Sequence, residues 1–588
     1  MHLLTLLPAA LLPADAHAAT VTSCTTGDAP SAYVSETCAS DNSSGPDVCA
    51  ANNSTETLTC DLGQGAGSGD GLLTMVTARQ DVDRITAWGT TPGGKDFCCA
   101  IDFTNDCPLE GSPTPVTWTV NALGYSTDDT IAFYESSTSM LKPVGLLYDP
   151  GPDPAWGCSI EAIARGKAGE DTITGSDHDP PTTLEWAYDE TLYGDDDVDT
   201  IDGLDGDDTI YGGEDDDTLN GGAGQDYIYG EEGADTVHGG DGRDWIYGNG
   251  GGDTLYGDAD ADHICGEVCG SPQTVQDGDT IRGGGGDDDI YGDDGDDDIE
   301  GGAGRDWIDG GPGDDQIYGD DPSATPTSNQ NDTIYPRDGA DEVWGGPGND
   351  YVCGMDLCSL GNECLGTPHD GPDTVRGEDG SDTIVGSVDG DFLYGNGEDD
   401  RILGCAGADT IDAGAGDDEV YGGNEADTIH GGVGADALFG EKGDDTLYGD
   451  SVESSTSSPD VLWGDAGEDT LYAAYWSGSG TRTRTTTTIH GGENDDVIIV
   501  HHDSVSDIIY GGAHNDIICV PYANVASSPT LDGGANGDTL WVESHANGNL
   551  TPTIDGGSGT DFCGHSDFYG SITNCVSTLL TVKPGICP

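Results

Sequence analysis

An all-β solenoid, built from very short strands separated by glycine-rich turns, is the fold class this sequence predicts. Three observations predict it. The chain repeats every nine residues without a gap from Gly194 to Cys265, again from Gly283 to Tyr318, and again from Gly377 to Tyr448. Across these 20 nonapeptides position 6 is always Asp, and position 8 is always Ile, Leu or Val. Position 1 is Gly in 19 of them, Ala413 being the exception, while position 4 is Gly in 14 and Asp or Glu in the other six. A fixed period of this kind marks units that cannot bury a core alone and must stack to share one.

The unit Gly203-Leu-Asp-Gly-Asp-Asp-Thr-Ile-Tyr211 shows the logic. Positions 7 to 9 predict a strand. Side chains alternate along a strand, so the aliphatic at position 8 faces inward and its neighbours face out. Glycines at positions 1, 2 and 4 let the chain turn back through positive φ. Asp tolerates that left-handed region better than most residues, which accounts for Asp197, Asp215 and Asp260 at position 4. Tyr193, Tyr211, Tyr229 and Tyr247 recur at twice the basic period. Two nonapeptides per coil would stack these rings in one column on one outer face, whereas Tyr256 falls on the other face. Packing is the simpler role for such a column.

The register of glycines, aspartate and aliphatic resembles the RTX family, the hemolysin-type calcium-binding repeat G-G-x-G-x-D-x-U-x. The resemblance covers most of residues 166–564. It implies a parallel β-roll, two short sheets joined by calcium-binding turns on both sides. The position-6 carboxylates are then the metal residues: Asp199, Asp208, Asp217, Asp226, Asp235, Asp244, Asp253 and Asp262; Asp288, Asp297, Asp306 and Asp315; Asp382, Asp391, Asp400, Asp409, Asp418, Asp427, Asp436 and Asp445. Carboxylate and carbonyl oxygens in a flexible loop suit Ca²⁺, whereas Mg²⁺ keeps its waters and asks for stricter octahedral geometry.

Composition points the same way. The chain has 588 residues, 113 of them acidic and 16 basic, for a formal charge of −97. Nucleic-acid backbones and anionic lipid need basic patches, and none exists here. There is no Gly-X-Y period, so collagen is excluded. Low hydrophobicity with high net charge predicts disorder unless cations offset the repulsion. Calcium is therefore expected to drive folding of the roll.

The first residues, apolar up to Ala16-His17-Ala18, read as a secretory signal cleaved after residue 18. No other stretch is long and apolar enough to predict a membrane span. Eighteen cysteines, eight of them before residue 160, read as disulfides in an exported chain. Residues 19–165 carry alternating stretches such as Val116-Thr-Trp-Thr-Val120 and Thr130-Ile-Ala-Phe-Tyr134, which predict a small disulfide-rich β domain. Five inserts, near 266–276, 320–330, 354–369, 450–459 and 473–488, read as surface loops. Cys265 and Cys269 flank the first, and Cys353, Cys358, Cys364 and Cys405 gather round the third. Repeats resume imperfectly at Gly491–Asp496, Gly511–Asp516, Gly533–Asp538 and Gly556–Asp561. Cys563, Cys575 and Cys587 suggest a stapled cap over 565–588, covering the last coil.

No catalytic constellation emerges. His-Glu-x-x-His and G-x-S-x-G are absent, and Gly89-Thr-Thr-Pro-Gly-Gly-Lys95 lacks the Ser/Thr of a phosphate loop. His501-His502-Asp503 reads as a solvated loop before it reads as a metal site. The leading expectation is a secreted calcium-binding repeat protein with a structural or adhesive role. Two alternatives differ in what residues 19–165 do. They form an enzyme or toxin effector domain, or a carbohydrate- or surface-binding module whose partner is a cell-surface glycan or another extracellular protein.

Overall fold

The computed structural model describes residues 170–176, 189–267, 277–322, 330–354, 371–450, 459–474, 486–500, 507–523, 528–544, 552–566 and 571–575. It also gives the strand backbones between residues 20 and 168 and over 577–580. The segment 1–18, most of each insert, His501–Asp503 and residues 581–588 lie outside the described residues. Every regular element among them is a β-strand, and no helix is long and apolar enough to cross a membrane. The chain divides into two compact units, Met1–Ala259 and Asp260–Pro588, and both contain a parallel β-roll.

In the first unit, one sheet runs through Thr200–Asp205, Thr218–Ala223, Thr236–Asp241 and Thr254–Ala259. The other runs through Glu190–Asp196, Thr209–Glu214, Tyr227–Glu232 and Trp245–Gly250. All these pairings are parallel. Ile228 lies between Ile210 and Ile246, and Ile201 beside Leu219, so two nonapeptides make one coil as the tyrosine spacing predicts. The strands are longer than positions 7 to 9. Each continues through positions 1 to 3 of the next unit, because the glycines there keep their places in the sheet pairing, as Gly222 does beside Leu204.

Parallel pairing also reaches back before residue 166. Val116–Leu123 pairs with Cys158–Ala168 and with Thr57–Asp61. Asp129–Ser137 pairs with Thr172–Ser176 and with Gly71–Thr77. Antiparallel pairs join Thr20–Thr26 and Arg84–Thr91 to Lys95–Asp102. Thr91 opposes Lys95 in the last of these, so Gly89–Thr91 ends one strand and Lys95 opens the next.

The second unit repeats the plan and absorbs the inserts without losing register. Ile308 pairs with Ile334, Val343 with Val375, Leu438 with Leu462 and Leu471 with Ile498, each across extra residues. The core is a single inward row in each sheet. From Ile281 to Leu540 every position-8 aliphatic is 0% exposed, and burial alternates along the strands as the pleat requires. An Ile in such a row meets only its neighbours in the row and across the roll. The fold therefore rests on a narrow apolar spine instead of a wide core.

The outer faces carry the aromatic columns. Tyr193, Tyr211, Tyr229 and Tyr247 stack at centroid distances of 4.7, 4.9 and 5.0 Å, with the Arg165 guanidinium 3.6 Å from the Tyr193 centroid. Tyr256 stacks on His238 in the other sheet, as its position predicts. The ring faces are used up within each column, which fits a packing role.

Positive φ falls where the repeat predicts it, including Asp197, Asp215 and Asp260 at 73°, 77° and 73°. Leu204 is held at φ 75°, in a region that costs an ordinary L-residue about 1–2 kcal/mol. Glycine relieves this and gives back about 0.5–1 kcal/mol in unfolded-chain entropy. Leu204→Gly is therefore expected to stabilise the calcium-loaded protein by about 0.5 kcal/mol, and Leu204→Val to destabilise it by about 1 kcal/mol. Guanidinium denaturation of both variants is the check; equal losses would show that Leu204 packing outweighs backbone strain.

Candidate metal centres in the turns

Each turn brings a position-6 carboxylate under the backbone of the neighbouring coil. Asp208 and Asp226 show the arrangement. The Asp208 amide donates to Asp226 Oδ1 at 2.7 Å, and the Tyr227 amide donates to the Asp208 carbonyl at 2.8 Å. The same rung recurs from Asp199 to Asp217, from Asp217 to Asp235 and from Asp226 to Asp244. In the second unit it spans the inserts as well: the Asp306 amide donates to Asp332 Oδ1, Asp350 to Asp382 and Asp445 to Asp469. One oxygen of each carboxylate is thus spent on holding the next coil.

The other oxygen is not. All twenty sequence-predicted aspartates are buried, none more than 3% exposed. In fifteen of them, Asp199, Asp208, Asp217, Asp226, Asp235, Asp288, Asp297, Asp306, Asp315, Asp382, Asp400, Asp409, Asp418, Asp427 and Asp445, Oδ2 makes no hydrogen bond. A buried carboxylate oxygen without a partner costs several kcal/mol if it stays charged. Its surroundings show what it faces. A Cβ placed on Gly203 would run into both the Gly221 carbonyl oxygen and Asp208 Oδ2, and the same pair closes on Gly212, Gly221 and Gly230 one unit at a time. Position 1 is glycine because a carboxylate oxygen and a carbonyl oxygen converge there.

Burial, with neighbouring carboxylates adding to it and the backbone amide opposing it, raises these acids far above the ordinary carboxylate range. Asp199 is pushed up to about 7, Asp217 to about 8 and Asp226 to about 7. Asp315 reaches about 9 and Asp400 about 8. Asp208 is raised too, first by burial and then by the Glu190 charge. Such a site wants a positive charge or a proton. The donor set of hard oxygens in a flexible turn suits Ca²⁺, so these residues fit the metal that the sequence resemblance implies. Among the described residues no three His, Cys, Asp or Glu side chains gather into a metal-ligating cluster. Each turn instead offers one buried position-6 carboxylate beside a backbone carbonyl oxygen.

Asp391 differs. Its Oδ2 accepts the Ser387 amide at 2.6 Å and its Oδ1 the Ser387 hydroxyl at 3.0 Å. Ser387 sits at position 2, where the residue in every other unit of the twenty has positive φ. The serine turn points its own donors at the carboxylate.

Sequence reasoning left out carboxylates that stand in the same two columns. Asp332, Asp341, Asp350, Asp469, Asp496, Asp516, Asp538 and Asp561 are each buried with Oδ2 lacking a hydrogen-bond partner. Asp171, Asp279, Asp373, Asp460 and Asp507 share the position, and Glu190 occupies it at the start of the first roll, its amide bonded to Asp208 Oδ1. The signal was the tripeptide Asp-Thr-Ile or its variants after each insert, which marks positions 6 to 8 even where the preceding turn is lost.

The cysteines add covalent ties. Cys265, Cys353, Cys405 and Cys519 are in disulfides, and Cys563 is bonded to Cys575. Cys353 and Cys405 pack in one buried cluster with Leu403. Cys269, Cys358, Cys364 and Cys587 lie outside the described residues.

Comparison with curated proteins finds no match. The family model of the RTX calcium-binding nonapeptide repeat matches residues 193–228, 229–264, 276–299, 291–321, 327–355, 369–393, 394–429, 421–451, 455–474 and 506–519. Those stretches contain all twenty of the sequence-predicted aspartates. On the repeat, the parallel roll and this match, residues 193–519 carry an array of RTX calcium-binding nonapeptide repeats.

Proposed function

We propose that this is a secreted structural protein whose roll folds when calcium enters the turns, with the twenty position-6 aspartates, Asp391 apart, as its carboxylate ligands. One observation carries the reading: a buried Oδ2 with no hydrogen-bond partner, repeated along both edges of each roll. Without metal each such oxygen opposes folding; with metal each contributes. At Kd values of about 10⁻⁴–10⁻³ M, calcium at about 1 mM adds roughly 0.4–1.4 kcal/mol per site. Over a long array this decides whether the chain is folded. Residues 1–18, read as a leader, would direct export into calcium-rich surroundings. Residues 19–165 would supply any contact with glycans or other extracellular proteins, and 565–588 the cap.

Circular dichroism of the full chain during calcium titration at pH 8 tests this. Cooperative gain of β signal is expected, and an unchanged β signal in excess chelator refutes it. Ser387→Gly gives a sharper check. It removes the hydroxyl and lets position 2 take the left-handed turn of the other units, freeing the Asp391 carboxylate. About one more calcium ion per chain is expected by calorimetry, and an unchanged count would show that Asp391 already binds.

A further inference from the structure

The two turn columns of the second unit part company near its C-terminal end. One column runs without interruption through Asp445, Asp469, Asp496, Asp516, Asp538 and Asp561, each amide donating to the next Oδ1 at 2.9–3.1 Å. The opposite column runs through Asp436 and Asp460 and then changes chemistry. Its next members, fixed by the amides that donate to their carbonyls, are Thr487, Asp507, Pro529 and Pro552. All four are buried, and three carry no carboxylate.

Position 1 changes in step. Where the repeat has glycine, this edge has Ala473, Val500, Val520 and Val542, none more than 2% exposed. At a repeat turn such as Gly431 a Cβ would collide with Asp436 Oδ2 and the Gly449 carbonyl. Valine stands at three of these turns where the repeat has glycine, and proline at two where it has aspartate, so this edge carries buried hydrocarbon side chains at positions that elsewhere hold a bare glycine and a carboxylate. Val520 pairs directly with Val542, and the Val500 amide donates to the Cys519 carbonyl.

The sheet leading into this edge is also covered on its outer side. Ile499, Cys519 and Trp541 form a buried cluster against Tyr472, Val497 and Ile517. Among the described residues the earlier coils have one comparable cluster, Cys353, Leu403 and Cys405, but there the position-1 glycines and turn aspartates are kept. The extra residues per coil follow the same edge. Thr487 to Asp496, Asp507 to Asp516, Pro529 to Asp538 and Pro552 to Asp561 keep the nine-residue step, so every addition falls on the way from the aspartate column to the apolar one.

We propose that the coils from Thr488 to Ser566 take calcium along one edge, with Asp507 the single carboxylate of the other, and form a calcium-lean core, which keeps its structure at metal levels where the coils from Thr374 to Asp450 come apart. This rests on the reading that calcium drives folding of the roll. The physical reason is a difference in what burial demands. The earlier coils bury a carboxylate at both turns and need a cation at each. The C-terminal coils replace one of the two with apolar packing that is favourable with or without metal, and a disulfide closes their last coil at Cys563 and Cys575.

Hydrogen exchange read by mass spectrometry on the full chain tests it, with and without excess chelator at pH 8. In chelator the amides of Ile498, Ile518 and Leu540 are expected to exchange at least about tenfold more slowly than those of Ile411, Ile429 and Leu447. Equal loss of protection in both segments overturns the inference and leaves calcium-dependent folding intact. Equal protection in both overturns calcium-dependent folding, and the inference with it. The double variant Val520→Gly, Pro529→Asp rebuilds a repeat turn at this edge. It is expected to lose the chelator-resistant protection at Ile518 and Leu540 while calcium restores it; unchanged protection in chelator would count against the apolar edge as the cause.

Discussion

Protein freed of calcium by gel filtration should regain its β signal when the pH is lowered from 8 to 5. The sign follows from the turn carboxylates. Unfolded, an Asp titrates near 4. In the roll, burial lifts Asp235 and Asp418 to about 6, Asp199 and Asp226 to about 7, and Asp217 and Asp409 to about 8. Between those values the folded chain holds more protons than the unfolded one, so metal-free stability falls as pH rises. The contribution is complete below pH 4 and is lost as pH climbs through 6 to 8. Protons and calcium thus serve the same oxygens in different ranges. Calcium needs the carboxylate deprotonated, so the affinity of the folded roll for calcium should rise from pH 6 to 8, while the calcium needed to fold the chain should not fall, because the unfolded aspartates are already deprotonated there. A metal-free chain that stays unstructured at pH 5 would show that charge burial is not what keeps the apo-roll unfolded.

Much of this was legible in the sequence because the nonapeptide is a local code. Ile210 and Ile228 sit at 0% exposure for the reason their spacing states, and Asp208 and Asp226 come together as the turn requires. The residues that escaped are those where coils, not units, set the environment. The use of Oδ1 to hold the next coil's amide is a contact between residues 18 apart, and no single unit displays it. The change at Thr487, Pro529 and Pro552 is hidden by the longer coils around it, since a gapless period is lost there and only the pairing of Leu531 with Ile509 and with Ile554 restores the register. The parallel strand at Asp129-Thr-Ile131 carries the same tripeptide as Asp171-Thr-Ile173; without a glycine turn before it, alternation alone was visible.

Replacing Asp217, Asp226 and Asp235 together by Asn should change stability in opposite directions with and without calcium. Asn keeps an oxygen where Oδ1 accepts the amides of Asp199, Asp208 and Asp217, so the coil-to-coil rungs survive. Its amide group replaces Oδ2 beside the carbonyls of Gly230, Gly239 and Gly248, where a donor is welcome and a bare carboxylate oxygen is not. A buried polar atom left unsatisfied costs about 1–3 kcal/mol, so the triple variant should stabilise the metal-free roll at pH 8 by roughly 3 kcal/mol or more. In calcium it forfeits three anionic ligands, a loss of roughly 1–4 kcal/mol at about 1 mM metal. The expected readouts are more β signal than the parent in chelator and about three fewer calcium ions bound by calorimetry. A purely structural role for these aspartates would weaken the fold in both conditions. An unchanged calcium count would place the metal elsewhere.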